Sequence, residues 1–230
     1  MTINTNHRDE EIGTIVTPEY VVTLNAGKYE FGPATDITAT SWSVASNGQT
    51  EITSSGFFNE ITVTEGACCS VTATATYDAG TIPVTNLGND CPAKQIKAGS
   101  KSATKNLFTG YKPNFYGFRS TALSEAEMTS DNIRELTSQG SDTNVKTYVK
   151  ADNSWIQFIY AVPKDRKALT AAQQRTPPAP FTVKHRDGTV TIVHPEGATV
   201  ETGITSEYDV FYITLDVAAS AGTEIDLTWG

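Results

Sequence analysis

Basic residues are scarce in this chain, and so are cysteine, histidine and long apolar runs. Lys and Arg number 17 against 26 acids, a net charge of -9 over 230 residues. That balance argues against a polyanion, so no nucleic-acid partner is expected. Acids outnumber bases on both sides of residue 106, and neither half has a basic face by count. No apolar run approaches the roughly 18 residues of a membrane helix. The opening MTINTNHRDEEIG lacks the apolar segment of a secretory signal, so the expectation is a chain made in the cytoplasm without membrane insertion. Cys68, Cys69 and Cys91 are an odd number at no metal-ligand spacing, which speaks against a disulfide framework or a zinc knuckle.

Motifs that carry chemistry are missing too. No GxSxG, HExxH, GxxxxGK[ST], GxGxxG, CxxC or EF-hand loop occurs, and the expectation is a non-enzyme with no cofactor and no metal. Glu125 with Glu127, and Glu207 with Asp209, are acidic pairs at i, i+2. On a helix such a pair faces different ways, and acids at a helix start are expected from the dipole. Calcium on loop aspartates such as Asp142 or Asp152 stays an open alternative with no specific motif behind it. Trp42, Trp155 and Trp229 each lie in a strand pattern. Core packing is the better reading for the first two, while Trp229 sits one residue from the end and is the least determined.

What the chain does have is alternation. Short period-two runs between turn residues begin at Pro18 and predict a mainly β fold of two sandwich-like domains. Candidate strands in the first domain are Tyr20 to Leu24, Thr38 to Val44, Phe57 to Val63 and Cys69 to Tyr77. In the last, Cys69, Val71, Ala73, Ala75 and Tyr77 share one face, which makes Cys69 a core residue and Cys68 a partly exposed one. The following stretch, through Lys105, holds Pro83, Gly88, Pro92 and Gly99, and predicts at most short edge strands at Ile82 to Val84 and Gln95 to Ala98. Residues 1 to 16 are polar with a charge run at Arg8, Asp9, Glu10 and Glu11. They read as a mobile arm that could anchor on a partner.

NLFTGYKPNFYGFRS, residues 106 to 120, gathers Phe108, Tyr111, Phe115, Tyr116 and Phe118. Gly110, Pro113 and Gly117 forbid a helix there, so the stretch reads as an aromatic connector between a domain over residues 17 to 105 and another over 121 to 230. Its five rings are the candidate oligomer or inter-domain contact. One helix is predicted next, with Ser124 and Glu127 as a capping box, Ser130 as a second N-cap, Met128, Ile133 and Leu136 as its apolar stripe and Gly140 as its stop.

The second domain then continues in strands: Val145 to Val149, Trp155 to Val162, Phe181 to His185, Thr189 to His194, Asp209 to Leu215 and Glu224 to Trp229. Trp155 is out of phase with Phe158, Tyr160 and Val162, so Ile156 is expected in their row, and a strand apolar on both faces should be central. Arg166 to Pro180 reads as a long connection. Asp187-Gly188 predicts a two-residue hairpin pairing Val183 with Ile192 and Phe181 with His194. In that register His185 and His194 lie four positions apart, about 13 Å at about 3.3 Å per residue, too far for one ion. His7 falls in the arm.

The ordered segments NLGNDCPAKQIKAGSKSATKN, FTGYKPNFYGFRST, MTSDNIRELTS and WIQFIYAVPKDRKALTA resemble a β-rich module of virion structural proteins from tailed phages of gut Bacteroidales, the crAss-like group. The resemblance covers about residues 65 to 230. It implies a structural part on the particle exterior, either a head fibre, a capsid decoration or a tail-attached protein, with an immunoglobulin-like N-terminal domain and a C-terminal β domain. It implies capsid or tail proteins as partners and brings no catalytic or ligand residues. Symmetric assembly is the rule for such parts, so a homotrimer is expected. The competing expectation is a receptor- or carbohydrate-binding module at a fibre tip, recognising a host surface glycan.

Overall fold

The structure is a computed structural model that describes residues 1–24, 38–82, 94–136, 138–140 and 145–230. The chain is mainly β; among the described residues 57% are strand and 4% helix, arranged as several sheets with no barrel. It divides into two compact units. The first comprises Met1–Asp9 and Ile15–Gly110, the second Glu10–Thr14 and Tyr111–Gly230. Cys91, Asp142 and the turn at Asn25-Ala26-Gly27 lie outside the described residues.

In the first unit β1 (Thr2–Asn4), β2 (Glu19–Thr23) and β5 (Ser55–Phe57) form one sheet in the order β1-β2-β5. Here β3 (Ala39–Ser46) and β4 (Gln49–Glu51) belong with β6 (Gly66–Tyr77) and β7 (Gly99–Tyr111), in the order β7-β6-β3-β4. Ile3, Tyr20 and Val22 from the first sheet meet Val44, Val71 and Ala73 from the second in a single core. That is what two half-buried sheets require: each hides its apolar face against the other.

Several expectations change here. Residues 1 to 16 are not a loose arm: Thr2 pairs with Thr23 and Asn4 with Val21, Ile3 is buried, and Asp9 accepts a hydrogen bond from the Thr109 amide at 3.0 Å. Of the stretch read as at most short edge strands, Gly80–Ile82 and Lys94–Ile96 do form a short pair, but the part from Gly99 belongs to β7, which pairs with β6 from Gly99↔Tyr77 to Gly110↔Gly66. Its outward residues are hydroxylic, and Thr72–Thr104 and Thr74–Ser102 bond across the strands at 3.0 and 2.7 Å. Its other face carries Lys101, Ala103 and Lys105, with no large apolar residue before Leu107, so the alternation that normally announces a half-buried strand is missing. The stretch from Phe57 to Val63 splits, Phe57 ending β5 while Ile61–Thr62 bridges Ile15–Val16. Cys68 and Cys69 are both buried because Cys69 takes φ 53 and breaks the alternation.

The second unit has three layers. Strands β8 (Asn114–Arg119), β9 (Ser138–Gly140), β11 (Trp155–Pro163), β14 (Lys184–His185), β15 (Val190–His194) and β16 (Ile204–Ala219) make the middle sheet, ordered β9-β8-β11-β16 with β14 and β15 both on the far edge of β16. Below it lies a sheet of β10 (Tyr148–Lys150), β12 (Leu169–Gln174), β13 (Ala179–Phe181) and β17 (Glu224–Trp229), ordered β10-β17-β12-β13. Phe158, Tyr160 and Val162 of β11 pack against Ile225 and Leu227 of β17. On the opposite face, Ile159 and Ala161 meet Met128, Ile133 and Leu136 around the helix. Each fully buried ring such as Phe158 contributes about 1.5–3 kcal/mol of transfer free energy.

The helical segment is a 3-10 turn, Glu125–Glu127, followed by α1, Ser130–Arg134. Ser124 donates its amide and its hydroxyl to the Glu127 carboxylate at 2.8 and 2.7 Å. Thr129, not Ser130, is the N-cap of α1; the Ser130 hydroxyl instead accepts the Val193 amide at 3.1 Å. The helix ends before Gly140, which belongs to β9 and pairs there with Asn114 of β8. A register shift between Trp155 and Gln157 returns Trp155 to the row of Phe158 and Tyr160, so Ile156 does not take that place. β12 occupies part of the segment read as a connection. β11 is central and buried on both faces, as its composition predicted.

The Asp187-Gly188 hairpin does not form. Lys184 pairs with Tyr212 and Val190 with Tyr208, so both segments lie along β16 and Asp187-Gly188 is a bulge between them. Gly188, at φ 68, serves that bulge. The Arg186 guanidinium satisfies it, Nη1 donating to the carbonyls of Asp187, Gly188 and Thr189 at 2.8, 3.1 and 3.2 Å.

Candidate functional site

Alternation along β8 sends Phe115 into the core beneath the helix and points Tyr116 and Phe118 the other way, toward the lower sheet. Register sets Tyr116 beside Tyr160 and Phe118 beside Phe158. The Tyr116 ring stacks on Tyr160 with centroids 5.0 Å apart, and Phe118 lies 4.8 Å from Phe158 and 5.1 Å from Trp155. Neither Tyr116 nor Phe118 is fully covered, and each is backed by a buried ring that fixes its plane.

Opposite them runs β10, at the edge of the lower sheet. The Tyr160 hydroxyl accepts the Lys146 amide at 2.9 Å, and Trp229 Nε1 donates to the Lys146 carbonyl at 2.8 Å, so buried aromatics hold this edge in place. The space between is a cleft of about 530 Å³, lined by Tyr116, Phe118 and Ser120 on one side and by residues from Lys146 to Ser154 on the other. Among the described residues its charged groups are Lys146, Lys150 and Asp152. A second hollow of about 500 Å³ around Ala218 to Glu224 has neither a ring nor a cation in its lining.

A second concentration of polar groups lies deeper in the same unit. Arg134 of α1 grips Glu11 through Nη1 and Nη2 at 2.6 and 3.0 Å, and His194 Nδ1 makes a short bond to the same carboxylate. The His194 side chain is 0% accessible, Arg134 7% and Glu11 14%. Burial works to raise the Glu11 carboxyl, but the hydrogen bonds and charges of His194 and Arg134 outweigh it and hold the group below its ordinary value. Burial, with the Glu11 charge adding to it, pushes the nearby Tyr208 hydroxyl well above the usual phenol range; that hydroxyl donates to the Pro113 carbonyl at 2.8 Å. Sealed from solvent, this cluster ties residues 10–14 into the unit and offers no room for a substrate.

The residues singled out from the sequence scatter. Phe108 lies in the core of the first unit and Phe115 in that of the second, too buried to form an oligomer contact, while Tyr116 and Phe118 floor the cleft and Tyr111 is half-buried. Gly110 lies at the end of β7 and Gly117 within β8, while Pro113 falls in the two-residue gap between those strands. Burial, with the hydrogen bond that its hydroxyl donates to Glu125 at 2.6 Å, raises Tyr212 to about 12. Glu127 caps the 3-10 turn and Glu207 pairs with Lys164 at 2.7 Å. His185 is exposed, stacked on Phe211 at 4.8 Å and 3.5 Å from Asp209, while His194 is sealed with Glu11. His7 bonds the Thr17 carbonyl at 2.9 Å. Trp155 is buried, Trp42 and Trp229 partly so.

Among the described residues no group of three or more His, Cys, Asp or Glu could hold a metal ion, and no helix is long and apolar enough to cross a membrane. Sequence reasoning missed both the cleft and the Glu11 cluster. The lysines at 146 and 150 lie apart in sequence from the rings at 116 and 118, and Glu11 sits in a charge run that looks solvated. Compared with protein families, curated proteins and solved structures, the chain matches none of them.

Proposed function

We propose that the chain is a structural protein of a tailed-phage particle, carried on the exterior as a head fibre, capsid decoration or tail-attached component and acting by protein–protein assembly. The observation that carries this reading is apolar surface on the first unit. Val21 and Phe57 are diagonal neighbours on the outer face of the β1-β2-β5 sheet, 41% and 59% accessible. Ile15 and Ile52 add further exposed apolar surface in that unit. Solvated sheet faces do not ordinarily carry a bare phenylalanine beside a valine, and such patches mark contact surfaces. The resemblance to virion proteins points the same way.

Phe108 and Phe115 are buried, and the contact we propose for a homotrimer is the Val21–Phe57 face. Light scattering across a concentration range is expected to show a trimer that Phe57→Asp dissociates without loss of folding. Gold-labelled antibody is expected to decorate the outside of purified particles. Particles that carry none of this protein, or a chain that stays monomeric and incorporates normally as Phe57→Asp, would sink the reading.

The cleft favours a second reading, a receptor- or glycan-binding module. Its ring floor and polar rim are the parts that a sugar site needs. A glycan array with the intact chain tests it.

A further inference from the structure

We infer that the cleft of the second unit seats an extended peptide segment of another protein, added as a strand to the open edge of β10; this rests on the assembly reading and names the kind of contact. The backbone carries the argument. Thr147 accepts the Leu227 amide at 2.8 Å and Ala151 donates to the Thr223 carbonyl at 2.9 Å, so Thr147, Val149 and Ala151 turn their backbone groups toward β17. In an antiparallel ladder the residues between them point the other way. The N–H and C=O groups of Tyr148 and Lys150 therefore lie along the outer edge of the sheet, where among the described residues no strand pairs with them. Val149 buries its side chain in the core and Lys150 is exposed, yet Tyr148, Val149 and Lys150 all line the cleft. What the three share is that edge.

The edge selects the occupant. Its two donors and two acceptors repeat about 6.6 Å apart, at about 3.3 Å per residue, the period at which another strand presents its own. Sugar hydroxyls do not alternate donor and acceptor at that spacing. Across the cleft, stacking on Tyr160 covers one face of the Tyr116 ring, and Phe118 is set against Phe158 and Trp155. The sides of these rings that line the cleft give an apolar side chain of the added strand a seat, and rings fixed in advance lose little entropy when it arrives. Lys150 stands opposite Glu224 in the ladder, so recognition does not turn on net charge. A volume of about 530 Å³ holds a few residues of extended chain and no folded domain.

Selection of random linear heptapeptides on the full chain, followed by amide mapping with a selected peptide, tests this. Peptides with apolar residues at alternate positions are expected. The bound peptide should shift Tyr116 and Phe118 and slow hydrogen exchange at the Tyr148 and Lys150 amides, leaving the Val149 amide, already turned to β17, unchanged. Methylating the peptide's nitrogens at one alternate set of positions should abolish binding, and at the other set should not. Lys150→Pro removes one outward donor and no bond to β17, a change that edge strands tolerate. It is expected to weaken binding about tenfold, the upper end for one neutral hydrogen bond, without lowering the melting point. No peptide enriched, with this protein still found on particles, overturns the inference and leaves the assembly reading standing; particles that carry none of it overturn both. Peptides that shift the rings without protecting Tyr148 and Lys150, and that bind Lys150→Pro equally, overturn it in favour of a side-chain groove. Maltotriose shifting the same rings where no peptide does overturns it in favour of the glycan reading. Protection of the two amides on raising the protein concentration alone overturns it in favour of edge pairing between copies.

Discussion

Arg134 and Glu11 meet through both terminal guanidinium nitrogens, at 2.6 and 3.0 Å, although 123 positions separate them in the chain. The pair is almost sealed, so each charge depends on the other. Glu11→Gln is expected to destabilise the second unit by about 3–5 kcal/mol, because it leaves a buried guanidinium without its counter-charge. Glu11→Gln combined with Arg134→Met should cost less than the sum of the single changes. Chemical denaturation of the three variants measures this, and additive losses would show that the two residues do not act as a pair.

Acid should expose the same pair. The Glu11 carboxyl is held below its ordinary value of 4.5, so folding binds fewer protons there than the unfolded chain does. Its contribution is complete above that ordinary value and is lost as pH falls through the lower folded value. Unfolding free energy measured from pH 6 down to pH 2 is expected to drop more steeply in the native chain than in Glu11→Gln.

Gly13 lies two residues beyond Glu11, with φ 84, where an added Cβ would stand 2.6 Å from the His194 carbonyl oxygen. Gly13→Ala therefore meets both backbone strain and a collision with rigid backbone. Gly48 has a similar φ of 79 with nothing within 4 Å, so Gly48→Ala meets the strain alone. We expect about 1 kcal/mol for Gly48→Ala and clearly more for Gly13→Ala. Equal melting points for the two variants would mean that residues 10–14 do not sit tightly against β15.

Arg186 replaces the turn that the Asp187-Gly188 pair seemed to announce. Its guanidinium covers three bulge carbonyls, and Nε reaches the Glu125 carbonyl at 3.0 Å. Arg186→Ala should cost about 1–3 kcal/mol, the usual range for abandoned polar groups, and Arg186→Lys should recover little of it. Hydrogen exchange is expected to accelerate at Val190 to His194 before it does elsewhere in the unit.

That bulge shows where local reading stops. A glycine at positive φ serves a hairpin turn and a bulge equally well, so Asp187-Gly188 carries the same signal in both settings. What decided between them is β16, sixteen residues long, whose edge accepts β14 and β15 one after the other. Trp155 makes the same point in reverse: its phase conflict with Phe158 was visible in the chain, but only the register shift opposite β16 resolves it. The cleft was invisible for another reason. Tyr116 and Phe118 were noticed as rings, but which face of β8 each occupies, and what lies across from it, depends on two sheets brought together from distant segments.

Period-two alternation, the Ser124–Glu127 cap and the apolar run from Trp155 to Val162 determined by themselves that this is a mainly β protein with a central buried strand. Those are properties of a strand's or a turn's own side chains, set within a few residues. Strand partners, the burial of both Cys68 and Cys69, and the capture of Glu11 by Arg134 and His194 were decided only by the tertiary structure. A backbone edge or a lone carboxylate can be satisfied by many partners, and the choice among them minimises exposed apolar area and unpaired charge over the whole unit rather than along any one segment.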